Sequence, residues 1–276
     1  MRERSHPEKH SASEEGRDTA RLLEVPPAPP VCIAGMHRSG TSTLSQLLYR
    51  LGLDLGDESE MFAGDESNAD GYFENRRFVA VSNEIFRLRR GGWDLPPDLE
   101  PGWFRKEEFA KVREEAAALM EDFAGGGAWG WKDPRATLTM GLWLDLAPDL
   151  RVVAPVRNPL EVAASLRSRG ASSVEFGLNL WTVYNRRLLE EVPEGQLMIT
   201  HYEAFFRRPQ EELRRVLDFC GMHASEQLIS LVRSRVVRGL RHHLYTAQDL
   251  LEADPSGEVR ELYAQLCNLA GWPAER

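Results

Sequence analysis

Four hydroxyl residues (Ser39, Thr41, Ser42, Thr43), a guanidinium (Arg38) and an imidazole (His37) crowd into positions 37–43, with glycines at 35 and 40. Hydroxyls, backbone amides and a cation in a glycine-bounded loop are the groups that grip a phosphate. The run Val31-Cys32-Ile33-Ala34 before the loop is apolar, and Leu44, Leu47, Leu48 and Leu51 recur after it at helical spacing. The segment therefore reads as strand, loop and helix N-terminus, which turns amide N–H groups and the positive end of a helix dipole toward an anion. The two glycines have the G-x-x-x-x-G spacing of a Walker A motif, but Thr41 stands where that motif carries lysine. Without that lysine, the loop suits a phosphate better than the β- and γ-phosphates of ATP or GTP.

A second constellation follows another apolar run, Arg151 to Val156, which ends in Arg157. In open parallel sheets, ligands bind beyond the carboxyl ends of the strands. A P-loop nucleoside triphosphatase commonly places an acid at such a strand end to hold Mg²⁺; Arg157 offers a cation instead. Both departures point to anions neutralised by protein charges, with no metal. Ser165 lies eight residues on, in the following helix, and an arginine fork with a serine hydroxyl forms a compact second anion site. Two anion sites in one cleft fit a nucleotide phosphorylated at both its 5′ and 3′ positions.

The elements that would position these groups alternate. Strands are expected at 31–35, 128–132, 151–157 and 197–200. Helices are expected at 41–52, 75–90, 105–123, 136–147, 160–168, 174–191, 209–219, 224–232 and 258–270. Pro159 sits at a helix start, Gly221 past a helix end, and Arg151 to Arg157 reads as a second buried strand that Pro155 demotes somewhat. Alternation of this kind predicts an α/β fold: a three-layer, P-loop-like parallel sheet with helices on both faces. Residues 1–30 read as a polar, disordered tail with a proline-rich lead-in, and 31–276 as the α/β domain. Loops 54–71, 91–103 and 171–180 are the variable walls of a pocket. Trp129 and Trp131 alternate on a strand and read as core. Arg87, Arg89 and Arg90 read as a solvated face, and Arg241-His242-His243 as a basic segment able to cover a phosphate; adjacent histidines lack the i, i+4 spacing of a helical zinc pair.

Composition narrows the class. The 276 residues carry a net charge of −9, which argues against nucleic acid as the main partner but not against an anion held by a local arginine cluster. Cys32, Cys220 and Cys267 are too few and too scattered for a disulfide framework. No apolar run approaches the ~18 residues of a membrane span, and residues 1–24 carry no signal-peptide core. A cytoplasmic protein is expected.

These blocks together resemble the sulfotransferase superfamily, and more closely its bacterial branch. Loop 37–43 is similar to that family's 5′-phosphosulfate loop, and Arg157 with Ser165 to its 3′-phosphate motif. Gly71-Tyr72-Phe73-Glu74, Trp131-Lys132-Asp133-Pro134-Arg135 and Tyr202-Glu203 resemble further recurring blocks, so the likeness runs from about 31 to about 222. It implies 3′-phosphoadenosine 5′-phosphosulfate (PAPS) as donor. The sulfuryl group would pass to a hydroxyl or amine of a small-molecule or glycan acceptor by in-line displacement without metal. His37, Arg38, Ser39, Gly40, Thr41, Ser42 and Thr43 would hold the phosphosulfate, and Arg157 and Ser165 the 3′-phosphate. Relatives use lysine in this loop; Arg38 supplies charge but no proton at neutral pH, leaving Lys132 as a proton source or a second charge. Glu74 is the first candidate for general base, then His37, then Asp133. A P-loop kinase or GTPase is the alternative reading.

Overall fold

The computed structural model describes residues 28–64, 71–124, 126–170, 173–233, 245–254 and 256–273. The expected tail up to residue 27, part of the 54–71 loop and the Arg241-His242-His243 segment lie outside the described residues.

Four parallel strands, β1 (Val31–Ile33), β2 (Gly130–Lys132), β3 (Arg151–Val156) and β4 (Leu197–His201), lie in the order β2-β1-β3-β4. Consecutive residues of a strand face opposite sides, and the core divides accordingly. Val31, Ile33 and Val153 pack on one face with α1 (Thr41–Arg50), α8 (Pro209–Cys220) and α9 (Glu226–Arg233). Cys32, Trp131, Val152 and Ala154 pack on the other with α2 (Arg76–Leu88), α3 (Ala110–Phe123), α4 (Met140–Leu146), α6 (Val174–Glu191) and α11 (Glu258–Leu269). This is the expected α/β sheet covered on both faces. Trp129 and Trp131 are both buried in the second layer, where Trp131 stacks on Phe78 with ring centroids 4.7 Å apart. No helix among the described residues is long and apolar enough to cross a membrane.

The expected buried strand is present, and Pro155 does not demote it: β3 is central, paired with both β1 and β4. The reason lies in register. Val153 directs its carbonyl to the Ala34 N–H (3.1 Å), and Val156 directs its own to Tyr202 on the β4 side (2.8 Å). Pro155, two residues after Val153, therefore faces the β1 side, where β1 has already ended at Ile33. The missing N–H falls where no partner strand remains, at no cost to the ladder.

Two expected helices are interrupted. Trp103–Arg105 and Glu107–Phe109 form 3₁₀ turns ahead of α3, because Trp103, Phe104 and Phe109 turn into the core. Pro134–Leu138 is also a 3₁₀ turn, capped by Asp133 through the Arg135 N–H (3.0 Å). Its Thr137 Oγ1 accepts the Gly35 N–H (2.8 Å), tying the turn to the loop after β1. The short helices α7 (Ala204–Arg207) and α10 (Ala247–Ala253), and α5 (Pro159–Arg167), complete the described helices. Of these, α7 and α10 are too short to show a period in the sequence.

Candidate active site

The loop after β1 keeps its shape through left-handed residues. Gly35 (φ 103°) and Gly40 (φ 99°) need no side chain, but Arg38 holds φ 68°, a region that disfavours an L-residue. Gly40 is doubly constrained, since a Cβ there would lie 2.3 Å from Tyr202 Cδ2. The variant Gly40→Ala is expected to lose about 1–3 kcal/mol of stability from strain alone, and more from the clash, read as a lower thermal midpoint. Helix α1 begins at Thr41 with no side-chain cap on its first-turn amides, so these donors remain for a ligand. Ser39 is 1 % exposed and its Oγ has no hydrogen-bond partner. Uncapped amides and an orphaned buried hydroxyl fit an anion that completes them.

Arg38 and Ser165 meet: the Arg38 Nε donates to Ser165 Oγ at 3.0 Å. Arg157, directly after β3, donates from Nη1 to the Arg38 carbonyl at 3.4 Å. Its Nε pairs with Glu161 one turn on (2.6 Å), and its guanidinium lies 4.7 Å over the Tyr202 ring. One edge of Arg157 is thus neutralised, and the residues expected to form the second anion site border loop 37–43. Burial, with Arg169 and Arg157 nearby, lowers the Arg38 pKa to about 10. Guanidinium groups gathered this closely repel one another, and a further anion relieves that repulsion.

On the other side of the loop, Lys132 is 2 % exposed at the end of β2. Its Nζ lies 2.5 Å from Glu74 Oε1 and 3.4 Å from Ser42 Oγ. Arg135 Nη1 reaches both Glu74 Oε2 (3.1 Å) and Asp133 Oδ1 (3.0 Å), and Asp133 Oδ2 accepts from Ser82 (2.7 Å). One hydrogen-bonded chain runs from α2 to the α1 N-terminus. Desolvation would raise the Glu74 pKa, but Lys132 and Arg135 outweigh it and hold the carboxyl below its ordinary range. Desolvation lowers Lys132 against the pull of Glu74, and raises Asp133. At Lys132 and Glu74 the ionised pair is the state the geometry supports, since each charge is hydrogen-bonded to the other. The residue before Glu74, Phe73, is left-handed at φ 55° and fixes where the carboxylate points.

A cavity of about 670 Å³ opens over this chain, lined by His37, Arg38, Glu74 and Arg135, with Trp93 and Phe176 among its walls. His37 touches Trp93 (centroids 4.9 Å apart) and Tyr184 (5.8 Å). Burial, then Arg135, depress its pKa to about 3, so its ring is neutral at physiological pH. Arg157 lines a second cavity of about 580 Å³ with Asn158, Arg207 and Arg208, and the contact between Arg157 and Arg38 is the seam between the two. The sequence reading gave no individual role to Arg135 or Arg169, although Arg135 closes the Lys132–Arg135 block, whereas Trp93 lies in the 91–103 loop expected to wall the pocket. Asp133 does not line the first cavity, being fully buried beneath it.

The fold and this loop define a P-loop-like α/β protein. The family model described as "Sulfotransferase family" matches residues 29–226, and the chain belongs to the sulfotransferase family, a family of transferases. Its fold is similar to that of sulfotransferase STF9 from Mycobacterium avium, with 15% identity, a TM-score of 0.55, and 94% of this chain and 81% of that one covered. Looser likenesses include a sulfotransferase from Alicyclobacillus acidocaldarius (18% identity, TM-score 0.45, 88% and 96% covered). Mouse sulfotransferase SULT7A1, crystallised with PAP, is another (11% identity, TM-score 0.41, 87% and 84% covered). Comparison with curated proteins finds no match.

Proposed function

We propose that this protein transfers a sulfuryl group from PAPS to an acceptor hydroxyl or amine in the 670 Å³ cavity. The observation that carries the reading is the meeting of Arg38, Arg157 and Ser165 beside an uncapped helix N-terminus with the orphaned Ser39 hydroxyl. Loop 37–43 would hold the 5′-phosphosulfate, and Arg157 with Ser165 the 3′-phosphate. When bound, the donor supplies a sulfuryl group whose bond to the 5′-phosphate breaks as the acceptor oxygen bonds to sulfur.

The chain's own groups then have distinct tasks. Glu74 takes the acceptor's proton: it is ionised and lines the cavity. A carboxylate of low basicity suffices if the hydroxyl loses its proton as its oxygen becomes bonded. Protonating Glu74 ends its pairing with Lys132, freeing that ammonium toward Ser42 on the phosphate side, 3.4 Å away. Lys132 thereby links proton uptake at one end to charge stabilisation at the other, and its lowered pKa suits it to give up a proton. Arg38 contributes charge alone. Charge stabilisation of this kind is the main lever in phosphoryl-type transfers.

The test is a transfer assay with PAPS and a panel of acceptors, run in EDTA, with product read as the mass gain of one sulfuryl group. Transfer is expected to persist in chelator because arginine and lysine carry the neutralising charge. Activity only with ATP and Mg²⁺ would replace the proposal with a kinase reading.

A further inference from the structure

Among the described residues, several polar groups of the side chains lining the 670 Å³ cavity have no protein partner, the buried His37 Nε2 among them, and three of the others differ in kind. Among the described residues the Trp93 indole N–H donates no hydrogen bond, and it is not sealed in the core. The neighbouring Asp94 is exposed and forms no ion pair among the described residues. Arg135 spends Nη1 on Glu74 and Asp133, while its Nη2 makes no hydrogen bond. The cavity thus offers an acceptor-only carboxylate and two donors beside aromatic faces, Trp93 and Phe176.

We infer that the acceptor is a polyhydroxylated ring, a pyranose with several free hydroxyls, laid against the Trp93 face. This rests on the sulfotransferase reading of the same site. A pyranose presents an apolar C–H face to an aromatic ring and hydroxyls around its edge that both donate and accept. It can satisfy Asp94, the Trp93 N–H and Arg135 Nη2 together. A phenol, sterol or alkyl alcohol has one hydroxyl, which the transfer itself consumes, and would cover these groups without pairing them. A polar group that a bound acceptor covers without matching costs about 1–3 kcal/mol, and sites built for hydroxyls strongly reject analogues that lack them. The volume of about 670 Å³ admits one or two sugar rings. The step balances within the site: one ring hydroxyl forms the S–O bond, its proton passes to Glu74, and the 5′-phosphate departs with the electron pair of the broken bond.

The experiment uses the full chain with PAPS and two panels: pyranosides (methyl glucoside, maltose, glucosamine) and single-hydroxyl acceptors of similar size (4-nitrophenol, a sterol, octanol). Sulfated product from the pyranosides is expected. In Trp93→Phe, which keeps a ring and loses the N–H, and in Asp94→Asn, KM for the best pyranoside is expected to rise by ~10-fold or more. Affinity for adenosine 3′,5′-bisphosphate should be unchanged in both. Product from the single-hydroxyl panel alone, no product from any pyranoside, or unchanged KM in both variants would overturn the inference. Failure of the wild-type chain to bind adenosine 3′,5′-bisphosphate would instead strike the donor reading beneath it.

Discussion

Replacing Glu74 by glutamine is expected to lower turnover by about 10²–10⁴-fold, the usual worth of a positioned base, while affinity for adenosine 3′,5′-bisphosphate stays within about 3-fold. Glutamine keeps the shape and one acceptor oxygen for Lys132 and Arg135, but cannot take a proton. Lys132, 2 % exposed, loses its counter-ion, and breaking a buried pair costs roughly 3–5 kcal/mol; a lower thermal midpoint is expected alongside. Intact nucleotide binding separates lost chemistry from lost folding. The pH behaviour follows from the direction of the shift. Glu74 is held below its ordinary range, so it is ionised throughout the neutral region, and the acid limb of kcat lies below the ordinary glutamate pKa. Its stabilising contribution is fully present above the unfolded pKa and is lost as pH falls through the folded one. The variant Arg135→Gln removes one of the two cations holding Glu74 down, so its acid limb should move to higher pH. An unmoved limb in that variant, or full turnover in Glu74→Gln, would place the proton acceptor elsewhere, with the neutral His37 next in line.

Removing Arg157 is expected to weaken adenosine 3′,5′-bisphosphate by about 10- to 100-fold, the loss of charge-assisted hydrogen bonds to a phosphate. Arg157→Ala also takes from Glu161, 6 % exposed, its pairing with Arg157 at 2.6 Å. A drop in affinity could therefore report a damaged fold. The double variant Arg157→Ala/Glu161→Gln resolves this, because it removes the Glu161 charge as well. Stability should recover in the double variant and affinity should not. Recovery of both would reduce Arg157 to an ion-pair partner and withdraw the 3′-phosphate site. Calorimetric titration and thermal melts on the three proteins give both quantities.

What the sequence made legible was local and periodic. The apolar run into Gly35 and the leucines after Gly40 announced strand, loop and helix, and α6 follows its expected bounds of 174–191. Pro155 misled because proline's cost depends on which neighbour its missing N–H faces, and that is set by β1 ending two residues earlier. The broken helices near 105 and 136 misled because tertiary demands, three buried aromatics in one case and the Thr137–Gly35 bond in the other, override helical propensity. At the site, Arg38, Arg157 and Ser165 were visible as types and spacing, but the pairing of Ser165 with Arg38 was not, since 127 positions separate them. Arg135 escaped notice for a similar reason. Beside Asp133 it reads as a local ion pair, and only the fold brings it to Glu74, 61 positions away. The left-handed Phe73 left no trace in its residue type.

The central claim is that the loop after β1 and Arg157 together hold a nucleotide by both its 5′ and 3′ phosphates. Isothermal titration in EDTA, comparing adenosine 3′,5′-bisphosphate with adenosine 5′-monophosphate, tests it most directly. The bisphosphate should bind at least ~10-fold more tightly, because the added phosphate meets Arg157 and Ser165. Equal affinity for the two nucleotides, or no binding of either, would contradict the account.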